Sequence, residues 1–172
     1  VQVALTNGLG KSIQEITKPR TEGDKNYDSA TFYSISNCQE GLSRVTLGNF
    51  LIKRVVFEIQ EELPNIKNFG TLSPIPGFRD WFSYLEDNKI KNIIGNIPIE
   101  NIKFLKSPDL KPGDPRIVSN KDALLKLVSH YLINEKNHKK LPVNDVCRFH
   151  LGNGAIIDDI IINANVSEVG LN

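Results

Sequence analysis

The sequence predicts an α/β or α+β domain, on three observations. Two segments, 47–63 and 121–132, carry apolar residues at helical spacing, and short β-branched or aromatic runs alternate with them. A chain of 172 residues with 40% hydrophobic and 24% charged residues has enough apolar material for one packed domain and too much for disorder. No window approaches eighteen consecutive apolar residues, which excludes a membrane-spanning helix.

Val1 to Thr6 reads as a strand, closed by the turn chemistry of Asn7-Gly8. Thr17 to Ser29 combines Pro, Gly and many charges and reads as a solvated loop. Ala30 to Ser36 is a second, buried strand, and Asn37 to Val45 a polar connection. The Leu47, Leu51, Val55, Ile59, Leu63 series then marks a helix with Thr46 as N-cap and Pro64 as its stop. Asn68 to Leu72 is a short strand, and Gly77 to Leu85 is helical. Four prolines from Pro98 to Pro115 leave room for at most one short helix. Asn120 caps a helix whose stripe is Ala123, Leu124, Leu127, Val128, Tyr131 and Leu132. Val146 to Phe149 and Ala155 to Ile162 read as strands around Gly152-Asn153-Gly154.

Charge narrows the function. Lys+Arg 21 against Asp+Glu 20 lacks the broad basic footprint of a nucleic-acid binder. Two cysteines, Cys38 and Cys147, support neither a disulfide scaffold nor a four-cysteine zinc site, and both read as unpaired structural thiols. No metal is expected: no histidine pair has ligand spacing, and Asp158-Asp159 is an isolated acidic pair. With no readable leader, a soluble intracellular domain is expected, and the apolar opening at Val1 suggests a piece of a longer chain.

Three segments can carry chemistry. From Gln39 to Gly48 a glycine-containing loop leads from a strand into a helix N-terminus, where unpaired N–H groups and the helix dipole suit a phosphate, with Arg44 adding charge. It matches neither the P-loop nor the dinucleotide fingerprint, and an ordinary turn with a cap has the same pattern. Ser73 lies at a strand end stiffened by Pro74 and Pro76, which fits a ligand-facing hydroxyl or simply a stiff turn. His150 lies among apolar neighbours beside a glycine-rich turn, as a tunable acid–base group or a hydrogen-bonded structural histidine. His130 flanks the apolar face of its helix, and His138 lies in the solvated run Glu135 to Lys140.

Taken together, Phe32-Tyr33-Ser34-Ile35-Ser36 through Gly41-Leu42, Leu47-Gly48-Asn49-Phe50-Leu51 through Val56, Thr71 to Phe78, and Phe149 to Ala155 resemble the malonyl-CoA decarboxylase family. The resemblance runs through nearly the whole chain and is weakest from Lys18 to Ser29 and from Lys89 to Ser119. It implies a single catalytic domain over residues 1–172 with a GNAT-like acyl-CoA-binding fold, a central mixed sheet flanked by helices. It also implies that the family's N-terminal helical domain and its glycine-rich, tyrosine-bearing C-terminal segment lie outside this chain. The implied activity is decarboxylation of malonyl-CoA to acetyl-CoA and CO2 without metal or organic cofactor, and a homo-oligomer is possible. The family's catalytic serine falls on Ser73, as proton acceptor, and its histidine on His150, as proton donor. Its malonyl-CoA loop falls on Ser43, Arg44, Val45, Thr46, Leu47, Gly48 and Asn49. Arg44 stands where a glycine is expected, and Thr46 where some members carry glutamate. A non-catalytic acyl-CoA-binding remnant and a GNAT-type acyltransferase are the competing readings. The implied compartment is the cytoplasm for a bacterial protein and the mitochondrion or peroxisome for a eukaryotic one.

Overall fold

In the computed structural model, residues 1–19, 26–35 and 48–171 are described. They form two compact units, Val1–Ser73 and Pro74–Asn172. The first is built on a three-stranded sheet of order β1-β2-β3, with β1 spanning Gln2–Thr6, β2 Ser29–Ser34 and β3 Asn68–Thr71. β1 runs antiparallel to β2 with Val3 opposite Phe32 and Thr6 opposite Ser29, and an irregularity falls between Gln2 and Val3. β2 and β3 are parallel, Ser29 opposite Asn68 and Phe32 opposite Thr71. Parallel neighbours need a crossover, and α2, Gly48–Glu62, lies in this one. A short helix α1, Ile13–Ile16, follows β1.

The middle strand explains its own sequence. Ser29, Ala30, Thr31 and Phe32 are all buried, so both faces of β2 are covered and the apolar–polar alternation of a one-sided strand is absent. Its polar side chains are matched rather than excluded. Thr31 and Thr6 hydroxyls hydrogen-bond at 3.2 Å, and Gly10 donates its N–H to Thr31 Oγ1 at 2.8 Å. Gly10 must be small here, because a Cβ would come within 2.6 Å of the Ile16 Cγ2. Just before β2, Asp28 accepts from the Ser29 hydroxyl and the Gly8 N–H, both at 2.7 Å. Its carbonyl accepts from the N–H groups of Lys67 and Asn68, joining the start of β3 to the start of β2.

The second unit is helical: α3 (Phe78–Ser83), α4 (Asp87–Ile94), α5 (Pro115–Ser119), α6 (Lys121–Ile133) and α7 (Asp145–Gly152). Its core gathers Phe82, Ile90, Ile94, Ile102 and Leu127, each at most 1% exposed. The α6 stripe expected from spacing is buried residue for residue. The two strands expected near the C-terminus are not formed. Val146 to Phe149 belongs to α7, started by Asn144, whose Oδ1 accepts the Cys147 N–H at 2.8 Å, with Asp145 in the first turn. Ala155 to Ile162 makes no ladder among the described residues, and Ile156 is 83% exposed. A β-branched run favours a strand only where a partner strand receives its backbone groups.

Smaller differences have local causes. The proline-rich stretch holds two 3₁₀ turns, Ile99–Asn101 and Lys103–Lys106, whose Ile99, Phe104 and Leu105 are buried in the core. Asn120 stands at the N-cap of α6, but its side-chain amide donates to the Arg116 carbonyl at the end of α5. α2 follows the expected helix closely and stops before Pro64, yet Phe50, Leu51 and Phe57 remain exposed. Glu135, expected in a solvated run, is partly buried, while His138 is exposed as expected.

Two outcomes follow from these contacts. Leu127→Ala should destabilise the second unit by about 2–5 kcal/mol, the usual cost of emptying a core leucine site, and chemical denaturation measures it. An unchanged midpoint would show that Leu127 does not hold that core. The Asp28 carboxyl titrates below its ordinary value because of the Ser29 hydroxyl and then the Gly8 N–H. A depressed carboxyl contributes stability in full above its ordinary pKa, and that contribution is lost as pH falls through the folded value. Asp28→Asn should therefore be less stable than the unaltered chain at neutral pH, with the gap closing on acidification.

Candidate active site

β3 delivers the chain to Ser73. The ladder extends one residue past the strand, as the Leu72 N–H donates to the Phe32 carbonyl at 2.8 Å. Ser73 follows, half-buried, as the last residue of the first unit. The next residues, Pro74-Ile75-Pro76-Gly77, enter α3 through a left-handed Gly77 with φ of 77°. Glycine is required twice at that point. The backbone is in the left-handed region, and a Cβ would lie 2.9 Å from the Tyr131 hydroxyl.

That hydroxyl has a partner. Tyr131 donates to the Pro76 carbonyl at 3.0 Å, and the Asn144 side-chain amide donates to the same oxygen at 2.8 Å. Around this junction Phe78, Trp81 and Tyr131 pack ring against ring, with centroids 5.1 to 5.9 Å apart. Sequence reasoning missed Asn144 as a cap and as a donor. The signal was there: Asn144-Asp145 is an N-cap followed by a first-turn acid, and glycines follow at 152 and 154.

His150 lies in the last turn of α7, half-buried, with its ring edge-to-face on Phe149 at 5.1 Å. Its carbonyl accepts the N–H groups of Asn153 and Ala155, which closes the helix, and Gly154 takes φ of 87°. Burial pushes the imidazole pKa down, toward the neutral form. Ser73 thus closes the first unit and His150 belongs to the second. Of the expected acyl-CoA loop, Ser43, Arg44, Val45, Thr46 and Leu47 lie outside the described residues, as does Cys38. Gly48 and Asn49 are the first described residues of α2.

Among the described residues no three His, Cys, Asp or Glu side chains are grouped as metal ligands, and no helix is long and apolar enough to cross a membrane. A second polar centre surrounds Glu135. It accepts from Lys89 Nζ at 2.9 Å and lies 3.5 Å from His130 Nε2, whose ring stacks on Trp81. Burial raises the Glu135 carboxyl, but the Lys89 hydrogen bond and charge, with Trp81 and His130, outweigh it and hold the pKa low. Lys89 and His130 also line an open groove of about 620 Å³ between α4 and α6, floored by Ile93, Leu125 and Ile133.

The arrangement of a proline-braced serine turn and a histidine at a glycine-rich helix end is accompanied by a match over the whole length. Residues 1–172 match the family described as malonyl-CoA decarboxylase C-terminal domain. The chain belongs to the malonyl-CoA decarboxylase family. Mitochondrial malonyl-CoA decarboxylase of Mus musculus is 38% identical over 193 residues, covering 99% of this chain, and that of Rattus norvegicus is 36% identical. The crystal structure of malonyl-CoA decarboxylase from Rhodopseudomonas palustris superposes with a TM-score of 0.82 at 36% identity over 98% of this chain. The one from Cupriavidus metallidurans gives 0.72 at 35%. The chain spans about two fifths of these proteins, 39% of the mouse and R. palustris chains. Its mixed sheet and helices are the α+β, GNAT-like fold of that C-terminal domain.

The remaining cysteine has a structural environment. Cys147 is buried, its thiol unpaired and facing the Leu132 carbonyl at 3.8 Å, and burial pushes its pKa up. Iodoacetamide should modify Cys147 far more slowly in the native chain than in denaturant, as read by peptide mass mapping. Equal rates would show that α7 leaves the thiol open.

Proposed function

We propose that this domain decarboxylates malonyl-CoA to acetyl-CoA and CO2, with Ser73 and His150 carrying the chemistry. The observation that carries the reading is the match to the malonyl-CoA decarboxylase C-terminal domain across residues 1–172. The reaction breaks the bond between the methylene carbon and the carboxylate. Its electron pair moves into the thioester enolate, CO2 departs, and one proton is delivered to the carbon. The thioester carbonyl is the electron sink, so the step asks for no metal or organic cofactor. What it asks of the protein is a placed proton donor and a means of stabilising the enolate oxygen.

His150 is the donor in this scheme. Burial favours its neutral form, so the negative charge of the bound substrate is what brings the imidazolium into use. Ser73 engages the carboxylate end by donating its hydroxyl hydrogen bond to a carboxylate oxygen. Ser43 to Asn49 bind the CoA pyrophosphate. Support for that assignment is that the segment runs in sequence directly into α2, whose first described residue is Gly48.

The test is turnover of malonyl-CoA followed by acetyl-CoA release, with CoA binding measured by calorimetry. Ser73→Ala and His150→Ala should each lower kcat by about 10²-fold or more, the usual scale for a positioned acid or base, with CoA affinity little changed. Replacing Gly48 with a bulky residue should weaken CoA binding instead. CoA binding without turnover in the unaltered chain would favour an acyl-CoA-binding role, and transfer of an acyl group to an amine would favour an acyltransferase.

A further inference from the structure

Asn144 is 3% exposed and holds two separate segments with one amide. Its Oδ1 caps α7 by accepting the Cys147 N–H, and its Nδ2 donates to the Pro76 carbonyl, each at 2.8 Å. The orientation is set by these partners, since a flipped amide would put two donors face to face at Cys147 and two acceptors at Pro76. We propose that Asn144 is a positioning residue of this site, with Tyr131 as its second support, fixing the turn that leads away from Ser73 against the helix that carries His150. The proposal rests on the reading that Ser73 and His150 perform the chemistry.

The capping role alone does not account for the residue. Ser, Thr and Asp all supply a capping oxygen. Asparagine adds an N–H donor on the same short side chain, and here that donor is used on a carbonyl three residues after Ser73. The segment transmits such a hold well. Pro74 and Pro76 fix two of the intervening φ angles, and Pro76 shares its carbonyl between Asn144 and Tyr131. At the other end the cap sets the first turn of α7, and His150 lies six residues from Asn144 on that one short helix. A proton donor that must meet a transient carbanion depends on such registration, because a displacement of about 1 Å can cost about 10²-fold in rate.

Asn144→Asp separates the two roles, keeping the capping oxygen and removing the donor to Pro76. In the unaltered chain and this variant, hydrogen exchange is followed at the Cys147 amide and at the Trp81 amide, which donates to the Gly77 carbonyl at 3.0 Å, and kcat and KM are measured with malonyl-CoA. The expected result is faster exchange at Trp81, unchanged protection at Cys147, and kcat lowered about tenfold or more with KM nearly unchanged. Tyr131→Phe keeps the ring packing and loses only the hydroxyl. It should show the same pattern more weakly, and it serves alone if Asn144→Asp does not fold. Faster exchange with full kcat overturns the positioning role and leaves the decarboxylase reading intact. Unchanged exchange at Trp81 overturns the hold itself. No turnover in the unaltered chain overturns the decarboxylase reading and the positioning role with it, while the exchange data still decide whether Asn144 holds the turn.

Discussion

The Pro76 carbonyl is the point on which the second unit depends. It accepts from Tyr131 and Asn144 together, and each donor comes from a different part of the fold. Tyr131 is on α6, whose other buried residues make the core, and Asn144 starts α7. The net worth of such a bond is about 1 kcal/mol, but leaving a buried donor or acceptor unmatched costs about 1–3 kcal/mol. Satisfaction of these groups, more than their attraction, therefore dictates where α3, α6 and α7 can lie. Glycine at position 77 belongs to the same constraint, since a larger residue would collide with the hydroxyl that makes the bond.

The first unit applies the same rule to a sheet. A central strand covered on both faces would ordinarily be all apolar, yet β2 carries Ser29 and Thr31. Both are accommodated because Asp28, Gly10 and Thr6 supply their partners. Among the described residues, every fully buried side-chain nitrogen or oxygen has a hydrogen-bond partner. The exposed face of α2 is the contrast. Phe50 and Leu51 stay open although helical spacing places them on the apolar stripe of a core-facing helix.

These cases show what is legible in sequence. α6 could be read residue by residue because its stripe is long and buried throughout, so local periodicity and tertiary burial agree. β1, β2 and β3 were readable from their turns and apolar runs. Val146 to Phe149 misled because three apolar residues around Arg148 fit a strand or one helical turn equally well, and the cap that decides lies outside them, at Asn144. Ala155 to Ile162 misled for another reason. Strand propensity records how a residue fits a pleated surface between neighbours, and no neighbour in sequence says whether a ladder exists. Ser73 and His150 could be singled out as candidates through the segments around them, whereas the Asn144 amide that touches Pro76 from 68 residues away could not.

This division bears on the proposed decarboxylation. There the thioester of the substrate would take up the electrons, and the protein's contribution would lie in placement. Placement is costly in chain entropy, about 1–2 kcal/mol for each residue's backbone held in one well. The fold meets part of that cost in advance. Proline at 74 and 76 restricts the unfolded chain as well as the folded one. Glycine 77 makes the following turn without strain. A single buried amide then holds this turn to the start of a helix only eight residues long, too short to persist alone in water. α7 stays ordered because its cap is tied to the core, with Cys147 buried on the inward side and the Arg148 guanidinium bonded to the Pro142 carbonyl at 2.7 Å. His150 therefore inherits its rigidity from contacts made earlier in the helix and at its cap.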